Sequence, residues 1–249
     1  MTGDQRRSRA RTAVVWDGLA ATLAPLTNAT VVDVGGGTGG FAVRVAELGH
    51  RVTVVDPNPD ALAILDRRAE ESGVADRVLG LQGDLAGLGD LVAPESVDVV
   101  LCHGLLELVD PVEALAAIRT VLREDGSLSL LVSQCHATVL ARAMAGHFQQ
   151  AQALLEPIGD VRDSRRDIPD SGMGRRFTAA EVTALLAGSG FADPVLHAVR
   201  VFVDLVPSAL VDHEPGAAEA LVALEQAVAD RPEYLAIATQ IHALARKAG

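Results

Sequence analysis

The sequence predicts an α/β fold built on a doubly wound, mostly parallel sheet. Two observations carry that expectation. Short, nearly all-apolar β-branched runs recur between residues 30 and 133, and segments of helical periodicity separate them. Strands covered on both faces read as continuous apolar runs, whereas one-sided sheets alternate. At 249 residues and 49% hydrophobic composition, the chain is long enough for one large domain or two small ones, with a buried core.

The elements follow in order. TVVDV at 30–34 is a first strand, and it ends in glycines. Residues 38–48 have helical spacing of Phe41, Val45 and Leu48, closed by Gly49. RVTVVD at 51–56 is a second strand, and 59–72 a helix closed by Gly73. Residues 77–83 and 97–103 are a third and a fourth strand. Residues 111–122 are a helix with proline in its first turn, and 126–133 a fifth strand. Beyond it, 136–155 reads as a helix or helix pair. Residues 156–176, with Pro157, Gly159, Pro169, Gly172 and Gly174, read as a loop or lid. Thr178 with Glu181 three residues on is a capping box for a helix over 178–188. A sixth strand is expected over 194–206, an alanine-rich helix over 217–229, and a closing strand or helix over 235–245.

Composition excludes several classes. Two cysteines, Cys102 and Cys135, cannot build a disulfide scaffold or a four-cysteine zinc site. No histidine spacing marks a metal site, so none is expected. No 18-residue apolar run exists, and the arginine-rich start (Arg6, Arg7, Arg9, Arg11) is no secretory signal; a soluble cytoplasmic protein is expected. The net charge of −12 argues against a generic nucleic-acid coat, which needs clustered positive charge.

The strongest motif is the run from Asp33 to Gly40, DVGGGTGG, between a strand and a helix. Gly35, Gly37 and Gly40 satisfy G-x-G-x-x-G, the fingerprint of a dinucleotide loop. S-adenosylmethionine (SAM) sites use a similar loop, and the acids separate the two ligands. Asp33 stands two residues before the first glycine, where a carboxylate repels a pyrophosphate and suits the ammonium of a methionine moiety. Asp56 ends the second strand and can accept both ribose hydroxyls. Asp84 follows the third strand and can accept an adenine amino group; its plain alternative is a helix N-cap. Three acids at three successive strand ends fit a cationic, phosphate-free ligand, hence SAM. His103 ends the fourth strand, where open α/β sheets bind ligands. It is the candidate to pack against SAM, orient substrate or act as a base; its plain alternative is a structural histidine. For an anionic acceptor, Arg200 and then Arg175 and Arg176 are the candidate guides.

The glycine loop, Asp56, Asp84 and the segment after the fourth strand resemble class I SAM-dependent methyltransferases. A narrower likeness spans more of the chain. RTAVVW at 11–16, LCHGLLE at 101–107, AGHF at 145–148, VRVFVD at 199–204 and IHALARK at 241–247 resemble the bacterial tRNA 5-carboxymethoxyuridine methyltransferase family. That resemblance implies a Rossmann-like, seven-stranded sheet with an antiparallel C-terminal hairpin and a helical cap. It implies a single domain over 1–249, with a cofactor core at 28–135, a cap or lid at about 136–180 and sheet completion at 181–249. It implies SAM as cofactor, held by Arg11, Gly35, Gly36, Asp56, the Asp84–Leu85 turn and His103, to which the reading of the glycine loop adds Asp33 and Gly37. It implies methylation of a wobble-uridine carboxylate in tRNA. The charge pattern keeps a small-metabolite acceptor open beside tRNA: residues 204–233 hold seven acids and one arginine, and Lys247 is the sole lysine. A non-catalytic SAM-binding module and a nicotinamide-linked dehydrogenase are the remaining alternatives.

Overall fold

Valine and its β-branched relatives fix the centre of the sheet. β1 (Thr30–Val34), β2 (Arg51–Asp56) and β4 (Val97–His103) fall where the apolar runs place them, and β3 is Val78–Gln82. The structure is a computed structural model that describes residues 3–155 and 174–249. The lid expected over 156–176 therefore lies outside the described residues except for its last three. Among the described residues, no helix is long and apolar enough to cross a membrane.

One seven-stranded sheet runs in the order β3-β2-β1-β4-β5-β7-β6. The pairs β1–β2, β1–β4, β2–β3 and β4–β5 are parallel, and the C-terminal strands are antiparallel. The winding reverses between β1 and β4, so Val34 and His103 end side by side at the switch point, where such sheets bind ligands.

The remaining elements fit less closely. The helix expected over 38–48 is shorter, α2 (Ala42–Glu47), because the glycine loop occupies its first residues. α3 (Pro59–Glu71) and α5 (Pro111–Val121) keep their proline starts, each with an Asx cap, from Asn58 and Asp110. β5 (Leu122–Ser133) starts four residues early. Leu122 pairs with Val97 and Ser127 with Val99, so the residues between them bulge out, with Asp125 left-handed. The helix pair is α6 (Cys135–Met144) and α7 (Phe148–Ala153). In α8 (Ala179–Gly188) the capping box closes reciprocally: Thr178 N–H donates to Glu181, and Glu181 N–H donates to Thr178 Oγ1.

β6 (Phe191–Val199) begins and ends ahead of the expected 194–206. It is an edge strand, which tolerates Pro194 in its interior, and left-handed Arg200 (φ 61°) stops it. The ambiguous 235–245 segment becomes a strand later on, β7 (Gln240–Lys247). Four helices were not anticipated: α1 (Gly3–Leu23), α4 (Leu88–Leu91), α9 (Ser208–His213) and α11 (Pro232–Leu235); α10 (Ala217–Val228) was.

The chain divides into two compact units. One comprises residues 15–131, 182–196 and 242–249; the other comprises 1–14, 132–181 and 197–241. In the first, Leu19, Leu23, Val31, Val45, Val54, Leu65 and Leu101 are buried together. In the second, Ala10, Val203, Val211 and Leu221 form one cluster and Ala198, Val201, Val228 and Ala238 another.

Candidate active site

The glycine loop leaves β1 in conformations that side chains disfavour. Gly35 and Gly37 have φ of 71° and 54°, and Gly35 N–H donates to Val55 O at 2.8 Å. At Gly36 the constraint is steric. A Cβ there would come within 2.5 Å of the Asp33 carboxyl, so the carboxyl lies directly against the loop backbone. Asp33 is 3% exposed. Burial first, and the Asp56 charge second, push its pKa up to about 7. Asp56 ties the loop to β2: its Oδ2 accepts from Gly37 N–H and its Oδ1 from Asn58 N–H, both at 2.9 Å. Among the described residues neither carboxylate has an ion-pair partner. Two buried, like-charged acids under an open backbone cradle suit a cation.

Asp84 is exposed, and its Oδ1 accepts from Gly87 N–H at 3.0 Å in the turn before α4; Leu85 behind it is buried. Asp84 thus braces the turn before α4, whose N-cap, Gly87, has no side-chain cap. His103 closes β4. Its Nε2 lies 2.9 Å from Ser129 Oγ on β5, and Phe41 meets its ring edge-on at 4.9 Å. Burial lowers its pKa to about 4, so the imidazole is neutral at pH 7. Its Nδ1 is inaccessible and has no hydrogen-bond partner among the described residues. Burial pushes the Cys102 thiol up to about 12 and raises that of Cys135, which leaves neither a ready nucleophile.

In the other unit, two of the expected arginines meet. Arg11 donates through Nε (3.2 Å) and an Nη (3.0 Å) to Asp204 Oδ1. Arg200 donates through Nε (2.7 Å) and an Nη (2.6 Å) to Asp204 Oδ2. One carboxylate is shared by two guanidiniums, so the trio carries a net positive charge. Left-handed Arg200 is held from both sides. Its carbonyl accepts from Thr239 Oγ1 at 2.9 Å, and fully buried Glu225 accepts the next three N–H groups, Val201, Phe202 and Val203, at 2.7–2.9 Å. Arg175 and Arg176 stand apart from this cluster: Arg175 sits 5.4 Å from the Phe177 ring centre, and Arg176 donates to Thr138 Oγ1. Sequence reasoning missed Asp204, Glu225, Ser129 and His242. Their partners are distant in sequence, and only the V-R-V-F-V-D spacing of Arg200 and Asp204 hinted at a pair.

A methyltransferase-domain family profile matches residues 31–126. The tRNA 5-carboxymethoxyuridine methyltransferase of Escherichia coli K12 is 30% identical over 97% of this chain and 89% of its own length. The chain belongs to the tRNA 5-carboxymethoxyuridine methyltransferase family. This methyltransferase is also 32% identical to a ubiquinone biosynthesis O-methyltransferase of Xanthomonas campestris, over 58% of this chain and 59% of that one. Among solved structures it shares its fold with the geranyl diphosphate C-methyltransferase of Streptomyces coelicolor (TM-score 0.58, 14% identity, 93% of this chain and 76% of that one). It also shares it with a possible histamine N-methyltransferase of Thermotoga maritima (TM-score 0.57, 20% identity, 96% and 90%).

The cofactor of this methyltransferase is SAM. SAM supplies a methyl group on a positively charged sulfonium, an electrophile that needs no further activation. The cradle fits it: the two buried carboxylates match a cationic ligand, and the side-chain-free loop admits close approach of the backbone. The relatives methylate at oxygen, nitrogen and carbon by their names, so fold alone does not select an acceptor.

Proposed function

We propose that this methyltransferase esterifies the carboxylate of a 5-carboxymethoxyuridine at the wobble position of tRNA, as a cytoplasmic enzyme acting through a single domain. The supporting observation is a pair of guanidiniums, Arg11 and Arg200, already converging on one carboxylate. The likeness to the Escherichia coli enzyme over 97% of the chain supports the same reading. On the cofactor side, Asp33 takes the methionine ammonium and the backbone of Gly35, Gly36 and Gly37 lines the approach. Asp56 accepts the ribose hydroxyls with the lone pairs left over from Gly37 and Asn58. The Asp84–Leu85 turn takes the adenine, and His103 packs against SAM. Arg11 and Arg200 serve carboxylate recognition, and Arg175 and Arg176 guide the anionic acceptor.

A carboxylate acceptor arrives ionised at pH 7, so no residue has to remove a proton. What remains for the protein is to align the carboxylate oxygen with the methyl carbon and to exclude water. Neutral His103 fits such a site better as a packing and orienting group than as a base.

The second reading is a small carboxylic acid as acceptor. The net charge of −12 and the single lysine favour it, because RNA binding rewards positive charge. Incubation with methyl-labelled SAM and total tRNA from a strain lacking the gene, beside a small-molecule extract, separates the two. The expected result is label in tRNA that mild alkali releases as methanol, the mark of a methyl ester. Label confined to the extract overturns the tRNA reading, and alkali-stable label overturns ester formation.

A further inference from the structure

Two guanidiniums that bind a carboxylate do not need an acid between them, yet Asp204 stands there. A guanidinium offers two edges for bidentate pairing, one from Nε with an Nη and one from its two Nη atoms. Arg11 and Arg200 spend the same edge on Asp204. Nε and Nη2 of Arg11 donate to Oδ1 at 3.2 and 3.0 Å, and Nε and Nη2 of Arg200 donate to Oδ2 at 2.7 and 2.6 Å. What each arginine has left differs. Arg200 turns its Nη1 to Gln240 Oε1 at 3.4 Å. Nη1 of Arg11 has no hydrogen-bond partner among the described residues, and the side chain is 45% exposed. One fork, the Nη edge of Arg11, is therefore open to a ligand.

Asp204 is built in rather than lodged there until a ligand displaces it. It follows directly on a turn that is tied down along its length. Thr239 Oγ1 donates to the Arg200 carbonyl, and Glu225 accepts from the N–H groups of Val201, Phe202 and Val203. The charge of Asp204 then acts on whatever the open fork receives. Two bare guanidiniums carry two positive charges and suit a dianion such as a phosphate monoester. Asp204 cancels one of them, and fully buried Glu225 behind the turn adds a further negative charge rather than a positive one. A fixed negative charge repels a dianion twice as strongly as a monoanion at the same distance.

We propose that Asp204 is a specificity-determining residue: it leaves the arginine pair one open fork and a reduced charge, so that the site takes a single monoanionic carboxylate and turns dianions away. The proposal rests on the reading that Arg11 and Arg200 receive the acceptor carboxylate.

Two small probes test it on the full-length protein saturated with S-adenosylhomocysteine. Methoxyacetate carries the carboxymethoxy group with one charge, and methyl phosphate is a dianion at about pH 8. Their affinities are read from the shifts of labelled arginine side-chain N–H signals during titration. The wild type should prefer methoxyacetate about tenfold, and Asp204→Asn, which keeps the shape and loses the charge, should move that preference about tenfold toward methyl phosphate. A wild type that binds methyl phosphate as tightly as methoxyacetate overturns the proposal, and that measurement needs no variant to fold. An Asp204→Asn protein in which both affinities change by the same factor overturns it too, because a merely structural role would act on both probes alike. Methoxyacetate binding that is absent, or that Arg200→Gln leaves unchanged, overturns instead the placement of the acceptor carboxylate at the arginine pair.

Discussion

Asp33 sets a conflict between folding and binding inside one side chain. Its pKa, about 7 in the folded protein against 3.8 for a free carboxyl, means that the folded state holds an extra proton between those values. Stability of the cofactor-free enzyme should therefore fall as pH rises from about 4 to about 7 and then level off. The shift corresponds to about 4 kcal/mol. Asp33→Asn should raise the melting temperature at pH 8, with the gain vanishing toward pH 4, while SAM binding is lost. A melting temperature at pH 8 equal to the wild type's would mean that the buried charge is already compensated. The cation also favours the ionised form, so SAM should bind more tightly at pH 8 than at pH 6, and calorimetry in two buffers should register proton release. Asp56→Ala should weaken SAM by about 1–3 kcal/mol through lost hydrogen bonds to a charged group; unchanged affinity would remove Asp56 from the cofactor site. Both acids stand out in the sequence as strand-end carboxylates, Asp33 just before the glycine loop and Asp56 closing β2. Ser129 and His242 were not. They are 113 residues apart, and only strand neighbours brought together by the fold make a hydrogen bond of them.

Among elements, the turn after β6 shows best what pattern reading misses. Periodicity ran the strand on to 206 because Val201, Phe202, Val203 and Val206 are apolar. The backbone instead turns at Arg200, and the following N–H groups find Glu225 rather than a strand partner. In the sequence Glu225 is one more acid on an alanine-rich helix, and nothing local separates it from Glu219. Its removal should be costly in a way that an exposed helix acid is not. Glu225→Ala leaves two buried donors and one half-buried donor without their acceptor and should cost about 3 kcal/mol in urea unfolding. Glu219→Ala, at an exposed site, should stay within about 0.5 kcal/mol. Equal effects would mean that the turn does not depend on Glu225. α1 escaped notice for the opposite reason: its first residues are polar and arginine-rich, while its apolar residues Val15, Leu19 and Leu23 come only later. β1, β2 and β4 follow their valine-rich runs residue for residue, although each carries polar members, among them Asp33, Asp56 and His103.

At the scale of the whole molecule, the charge of −12 constrains how RNA can be held. On the tRNA reading, only a few arginines face phosphates, so the salt dependence should be shallow. Two such contacts to a single-stranded loop, from Arg175 and Arg176, give a slope of about −1.4 in log affinity against log salt. A much steeper slope would reveal a basic surface beyond these two. The order of the chain carries a further consequence. Each compact unit is assembled from three separate stretches, and the backbone passes from one to the other five times. Neither unit is a contiguous gene segment that could be borrowed, fused or inherited alone. A fragment ending at residue 131 would contain every glycine and acid of the cofactor cradle, yet it would lack the final eight residues that bring His242 to Ser129. The contact joins residues 113 apart, so a chain stalled or clipped before residue 242 is a chain without it.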